Sequence, residues 1–342
     1  MKPWQKLPII GLSPMDGVSD AAFRFVADKI GHPDMLFTEF VPVEAIARRA
    51  VRALLAFAKH DTSTPTIAQI YGTDIEAYYK AALVVCELGF DGVDINMGCP
   101  DKSVSGRGAG AGLIQTPKLA TDIIKKVKRA TSDWSAGMTL EKADLHPNII
   151  DWVKNNKKST KRSVLPVSVK TRIGFDKVVT KDWTNNLLEA EPVAITLHGR
   201  TLKQMYSGSA NWDEIAIAAQ CSKGTKTLML GNGDIKSMED ARKKIENYRL
   251  DGVLIGRATL GNPWFFQDKI PTSRERLEIA LLHCKAFDDL TPDGHFPSLR
   301  KHLAWYCRGF DDAAKIRDRL MHVSNYKEAL EILNPVLIEL KV

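Results

Sequence analysis

The stretch GVDINMGCP, residues 92–100, carries the pattern on which the fold turns. Its apolar first half reads as a short buried strand, and it breaks at a Gly-Cys-Pro triplet that makes the next loop tight and rigid. Asn96 and Cys99 therefore stand at the C-terminal end of a strand. Seven further runs repeat the design: PIIGLSPM (8–15), MLFTEFV (35–41), TIAQIY (66–71), PVSVKTR (166–172), AITLHGR (194–200), TLMLGNG (227–233) and GVLIGRA (252–258). Between them lie segments such as DIEAYYKAALVVCELG (74–89) and TPKLATDIIKKVKRA (116–130), apolar at the spacings of three and four that amphipathic helices require. Eight strands alternating with helices over about 260 residues predict an α/β fold, a (β/α)8 TIM barrel. A doubly wound open sheet would need a glycine-rich turn after its first strand, and SPMDGVSD (13–20) is not G-x-G-x-x-G.

Nearly every strand ends in polar or special residues: Pro14-Met15, Glu39, Gln69, Asn96 with Cys99, Lys170 with Arg172, His198 with Arg200, Asn232-Gly233-Asp234, and Gly256-Arg257. Barrels build their active sites at this end of the strands. Beyond Pro263 the strand signal stops, and residues 271–342 read as a small C-terminal helical domain following a barrel domain of residues 1–270. Residues 131–163 form a basic insertion between the fourth helix and the fifth strand, with a short helix of its own at PNIIDWVKN (147–155).

The chain has 342 residues, 44% hydrophobic and 26% charged, an ordinary composition for a soluble protein. No apolar run approaches the roughly 18 residues of a membrane span, and the start MKPWQKLPIIG lacks a secretory apolar region, so a cytoplasmic location is expected. The five cysteines are odd in number, scattered and never spaced C-x-x-C, which argues against a disulfide framework and against a metal site. A monomer is expected. The net charge is +7, and residues 118–163 carry eleven Lys/Arg against five Asp/Glu. Such a run suits a polyanionic partner or a solvated face equally well.

The ends of strands seven and eight, GNGDI and IGRA, place backbone N–H groups and Arg257 where barrels bind phosphate. Lys170, ending an apolar strand, should face the mouth and meet an anionic ring or a phosphate, unless Glu39 pairs with it. With His198 and Gln69 it forms a ring of donors suited to a flat heterocycle rich in acceptors. A phosphorylated heterocycle of that kind points to flavin mononucleotide (FMN). Cys99 follows its strand at the mouth. An unperturbed thiol is mostly protonated at neutral pH, and beside a hydride donor it can supply the proton that completes reduction of a C=C bond.

SPMDGVSDAAFR, INMGCPDKSVSGRGAGAGL, VKTRIG, LHGRT with YSGSANW, GNGDI, IGRATLGNPW and RKHLAWYCRG, in this order, resemble the tRNA-dihydrouridine synthase family over nearly the whole chain. The resemblance implies an FMN enzyme that reduces particular uridines of tRNA, recharged by NADPH. It implies flavin contacts from Pro14, Met15, Gln69, Lys170, His198, Asn232, Gly233, Asp234, Gly256 and Arg257. Cys99 would be the general acid at C5 while flavin N5 delivers hydride to C6. Asn96, Arg172 and Arg200 would hold the base and its ribose phosphate. In the C-terminal region Lys301, Trp305 and Arg308 fall on one helical face, with Arg300 alongside, and would bind tRNA.

Two features depart from the family pattern: the length of 131–163, and Asp16 where a small residue usually follows Pro-Met. Flavin barrels that oxidise dihydroorotate, a free pyrimidine, also use a thiol in a Cys-Pro context, but they do not need the 300–309 helix. An RNA-binding protein without chemistry would be expected to lack Cys99 or Lys170.

Overall fold

The computed structural model describes residues 4–158, 161–205, 207–291 and 294–340. Eight parallel strands, β1 (Ile9–Leu12), β2 (Leu36–Pro42), β3 (Thr66–Tyr71), β4 (Gly92–Met97), β5 (Val167–Arg172), β6 (Ala194–His198), β7 (Leu228–Asn232) and β8 (Gly252–Ile255), form one sheet in the order β1-β8-β7-β6-β5-β4-β3-β2. The first strand thus pairs with the last. Two backbone hydrogen bonds, Leu12 N–H to Met35 O at 2.9 Å and Asp34 N–H to Ile10 O at 3.0 Å, close the seam between β1 and β2. The result is the expected (β/α)8 barrel followed by helices.

Around it run α1 (Ala21–Gly31), α2 (Val43–Ala47), α3 (Ile75–Leu88), α4 (Lys102–Ser105), α5 (Pro117–Ser135), α6 (Pro147–Asn156), α7 (Thr180–Leu188), α8 (Trp212–Ser222) and α9 (Met238–Tyr248). After β8 come α10 (Ser273–Leu290), α11 (Arg300–Tyr306), α12 (Ala313–Leu320) and α13 (Tyr326–Glu339). The caps are written locally. The Asp74 carboxylate accepts the N–H groups of Glu76 and Ala77 to open α3, and Gly89 closes it at φ +76°. A reciprocal Thr272–Glu275 capping box opens α10. No helix among the described residues is long and apolar enough to cross a membrane.

Period-two alternation sorts the strand residues. Val93, Ile95, Val167, Val169, Ile195, Leu197, Met229 and Val253 belong to the large core shared with the helices, whereas Ile9, Phe37, Ile67, Ala194, Leu230 and Leu254 fill the lower barrel. The inward parity continues upward as Gln69, Asp94, Asn96, Ser168, Lys170, His198 and Asn232. The barrel therefore changes from apolar to polar along its own axis.

The basic insertion is largely committed to the barrel's flank. Glu87 of α3 accepts Lys157 Nζ at 2.9 Å, Arg162 Nη2 at 3.3 Å and Trp134 Nε1 at 2.9 Å. Arg162 also donates to the carbonyls of Trp134 and Met138, both at 2.9 Å. Part of the KNNKKSTKR run (154–162), Ser159 and Thr160, lies outside the described residues.

Helices α10 to α13 share a separate apolar cluster that also takes in Ala22 and Val26 of α1 and Trp264. This docks them beside the strand ends of β1 and β8. Gly261 makes the close approach possible: it sits at φ +61°, and a Cβ there would fall 2.5 Å from Trp305 O. Gly261→Ala is expected to push α11 away from the barrel at a cost of about 1–3 kcal/mol, from the positive φ and the collision together. A lowered melting temperature would register it; an unchanged value would show that the contact can relax.

Candidate active site

A cleft of about 1470 Å³ opens at the C-terminal ends of the strands. The β1 loop contributes Pro14, Met15 and Asp16; β4 and its loop contribute Asn96, Cys99 and Asp101; β5 and β6 contribute Lys170, Arg172 and His198. Asn232, Gly233 and Asp234 come from β7, Gly256 and Arg257 from β8, and α11 adds Lys301 and Trp305.

Strand register builds the floor. Gln69 lies opposite Asp94, and Asp94 opposite Ser168. Gln69 Nε2 and Ser168 Oγ each donate to the Asp94 carboxylate at 2.6 Å, and Asn96 Nδ2 donates to Gln69 Oε1 at 2.9 Å. Burial pushes the Asp94 carboxyl up to about 6, opposed by those two hydrogen bonds and by the Lys170 charge. Gln69 was expected at the ligand, but it lies in this layer, fully buried, and holds Asn96. One register step higher, Asn96 faces Lys170 across β4 and β5. Burial, then the neighbouring Arg172, lowers the Lys170 ammonium to about 8, while Asp94 and Cys99 work against that fall. The carboxylate acting on Lys170 is thus Asp94. Glu39, the alternative partner, interacts instead with Asp20, Arg24, Asp16 and Lys301. Among the described residues the Lys170 ammonium has no hydrogen-bond or ion-pair partner, which leaves its donors for the cleft.

The same Asn96 shapes the thiol loop, accepting the N–H groups of Gly98 at 3.0 Å and Cys99 at 2.8 Å on Oδ1. Arg172 Nε grips the Gly98 carbonyl at 2.6 Å, and its Nη1 donates to Thr201 O at 3.2 Å. Cys99 is 9% exposed and faces the cleft from under Val104 and Ala109. Burial raises its thiol pKa, and the charges of Asp16 and Asp101 add to the rise against the Asp101 N–H and Arg172. At neutral pH this sulfur holds its proton.

His198 is pushed the other way, well below its ordinary value, by burial and then by Lys170, Arg172, Arg200 and Arg257. It is neutral. Arg200 Nη1 lies 3.4 Å from its Nε2. Asp234, at φ +51°, is the hub of the phosphate-side loops. It accepts Arg200 at 2.6 and 3.1 Å, the Ala210 N–H at 2.8 Å and Arg257 Nη2 at 2.7 Å. These partners outweigh desolvation and hold its carboxyl below the usual range.

Four of the residues expected at the ligand lie outside the cleft lining. Arg200 is not among the residues that face the cleft: its guanidinium donates to Asp234 and to Gly208 O at 2.5 Å, while its Nε is buried without a partner among the described residues. Arg300 donates to the carbonyls of Val323 at 2.9 Å and His322 at 3.2 Å, bracing the helical region internally. Arg308 is off the helix, because α11 ends at Tyr306, and it does not share the face of Lys301 and Trp305. Gln69 acts from below, as described. Tyr206 of the YSGSANW motif lies outside the described residues. Asp94 and Ser168 escaped the sequence reading, although their inward parity with Asn96 and Lys170 was a usable signal.

A cation-rich mouth with a protonated thiol, set on the C-terminal ends of eight parallel strands, defines a (β/α)8-barrel enzyme. The model of the dihydrouridine synthase family matches residues 11–134 and 135–341, the two stretches meeting inside the basic insertion. The chain belongs to the dihydrouridine synthase family, and it is an oxidoreductase. A probable tRNA-dihydrouridine synthase of Staphylococcus aureus (strain COL) is 32% identical over 345 residues, covering 97% of this chain and 94% of that protein. The probable tRNA-dihydrouridine synthase 2 of Bacillus subtilis (strain 168) is 31% identical, covering 97% and 95%.

Proposed function

We propose that the protein reduces the C5=C6 bond of specific uridines in tRNA, with FMN bound in the cleft and NADPH as the reductant, working as a cytoplasmic monomer. The observation that carries this reading is the pairing in one cleft of a protonated thiol, Cys99, with an ammonium that has no described protein partner, Lys170.

The residues suit FMN. Lys170 and the neutral His198 offer donors to an acceptor-rich ring. Gly233 and Gly256 leave room for backbone approach, and a Cβ at Gly233, which sits at φ +126°, would fall 2.7 Å from Ala210 Cβ. Asp234 orients Arg257 beside these glycines, where a phosphate would sit. Pro14, Met15 and Asn232 would border the ring. When bound and reduced, the flavin supplies hydride to C6 of the uracil.

Cys99 then delivers its proton to C5, and the Asn96 and Arg172 contacts to its loop fix where that proton stands. Asn96 and Arg172 would also border the base. A uridine stacked in folded RNA cannot reach this depth, so it enters flipped out of its stack. Residues 1–270 act as the catalytic barrel and 271–342 as the tRNA-binding part, with Lys301 and Trp305 forming the shared wall. Lys301 donates to the Gly17 carbonyl and faces Asp16, so it ties the two parts together.

The direct test is incubation with NADPH and unmodified tRNA, followed by mapping of dihydrouridine. A yellow protein that forms the product is expected; a colourless one that refuses added FMN and forms none would overturn the proposal. Lys301→Ala should weaken tRNA binding and flatten the slope of log K against log salt by about one unit. An unchanged slope would confine Lys301 to its Gly17 contact.

A further inference from the structure

We infer that the protein binds a small inorganic oxyanion, phosphate or sulfate, in a second cavity between α1 and the segment 58–66. The cavity measures about 130 Å³ and shares no residue with the cleft. Thr66, which begins β3, and Asp91, which precedes β4, lie in its wall, so it sits at the strand ends opposite the chemistry.

Its walls hold three cations, Arg24, Lys59 and Lys158, against one carboxylate, Asp91. Arg24 has no exposed surface, yet among the described residues it makes no ion pair. Its Nη1 donates to Ser19 O at 2.6 Å and its Nη2 to Ala58 O at 2.5 Å, while Nε is buried with no partner at all. Glu39 and Asp20 act on Arg24 only from longer range. Lys59 is held in the same way, by the carbonyls of Leu88 at 2.8 Å and Gly89 at 2.7 Å. Burial, then repulsion from Lys158, brings its ammonium down to about 8 against the opposing charge of Asp91, and its Nζ lies over the Phe90 ring, 4.2 Å from the centroid. Lys158 itself pairs with Asp61, a fully exposed carboxylate.

The acids nearby accept hydrogen bonds from the surrounding chain. Asp91 Oδ2 accepts the Thr66 N–H at 2.8 Å. Asp28, across the loop, takes the Thr62 and Thr64 hydroxyls at 2.6 Å each and meets His60 Nε2 at 3.2 Å. Buried cations are stable when paired, and carbonyl oxygens supply acceptors but no full charge. A tetrahedral oxyanion would supply both, accepting from Arg24 Nε and lying beside the Lys59 ammonium. The space exceeds one water's share of about 30 Å³ several times over, yet falls short of the roughly 300 Å³ that organic ligands need. Size therefore selects a free inorganic ion. Its place at the stability end of the barrel makes its effect structural.

The experiment uses the full protein saturated with FMN, so that the cleft is closed to phosphate. Sodium phosphate is titrated at constant ionic strength against chloride, with melting temperature and calorimetry as readouts. A saturable rise in melting temperature is expected, with sulfate competing. Lys59→Met and Lys158→Gln should each weaken phosphate about tenfold while dihydrouridine formation in phosphate-free buffer stays unchanged. Should Lys59→Met fail to fold, Lys158→Gln at the rim carries the comparison alone. Equal shifts from phosphate and chloride would overturn the inference, as would undiminished phosphate affinity in Lys158→Gln. A Lys158→Gln protein that keeps phosphate but loses tRNA affinity would also overturn it, by assigning that lysine to nucleic acid.

Discussion

Cys99→Ala is expected to lower dihydrouridine formation by about 10²–10⁴-fold, the usual contribution of a positioned general acid, while FMN stays bound. The side chain sits in a small apolar group with Val104 and Ala109, and the loop is held through backbone atoms that alanine retains. Loss of product therefore reports the proton and not the shape. Mass analysis of tRNA beside the visible spectrum of the same sample separates the two. A variant that keeps both its colour and full product formation would remove Cys99 from the chemistry. A second reading comes from pH. The folded-state thiol lies above its ordinary value because of burial and of Asp16 and Asp101, so the thiolate is scarce at neutral pH. The rate of Cys99 alkylation by iodoacetamide should keep climbing past pH 9; a plateau near neutrality would mean a nucleophile, a different mechanism.

The other large effect concerns stability. Asp234→Ala removes the carboxylate that serves Arg200, Arg257 and the Ala210 N–H, and it strands a guanidinium whose side chain is only 3% exposed. Breaking a buried pair from one side costs about 3–5 kcal/mol, which for a chain of this size lowers the melting temperature by roughly 10 °C. The sign with pH follows from the depressed carboxyl. Its contribution is full above the unfolded value near 3.8 and fades as pH falls through the lower folded value, so wild type and variant should converge only in strong acid. Arg257 loses its support as well, and FMN should bind more weakly. A variant with an unshifted melting temperature would show that solvent reaches Arg200 after all.

Much of the site was legible because barrels read locally. Each strand closes on its own polar residue, and Cys99, Lys170, His198 and Asn232 were located from the run of sequence around each of them. The residues placed away from the cleft share a cause. Arg200 and Arg257 look alike as strand-end arginines, yet the first is spent on Asp234 and Gly208 while the second stays half exposed beside the glycines. The Lys301–Trp305–Arg308 face assumed a helix that runs on, and the chain leaves helical geometry after Tyr306. The positive charge of 118–163 suited a polyanion or a solvated face equally well, and its cations Lys157, Arg162 and Lys158 meet Glu87 and Asp61, at separations of 70, 75 and 97 positions.

The sequence by itself determined the eight strands, their alternation with helices and the end at which chemistry gathers, since periods of 2.0 and 3.6 residues are properties of neighbouring positions. Only the tertiary structure decided which polar groups are spent on one another. Asp94 meets Gln69 and Ser168, and Asp234 meets Arg200, through strand register and loop approach between distant segments. Charge left over after those pairings, at Lys170 in the cleft, is what remains available for ligands.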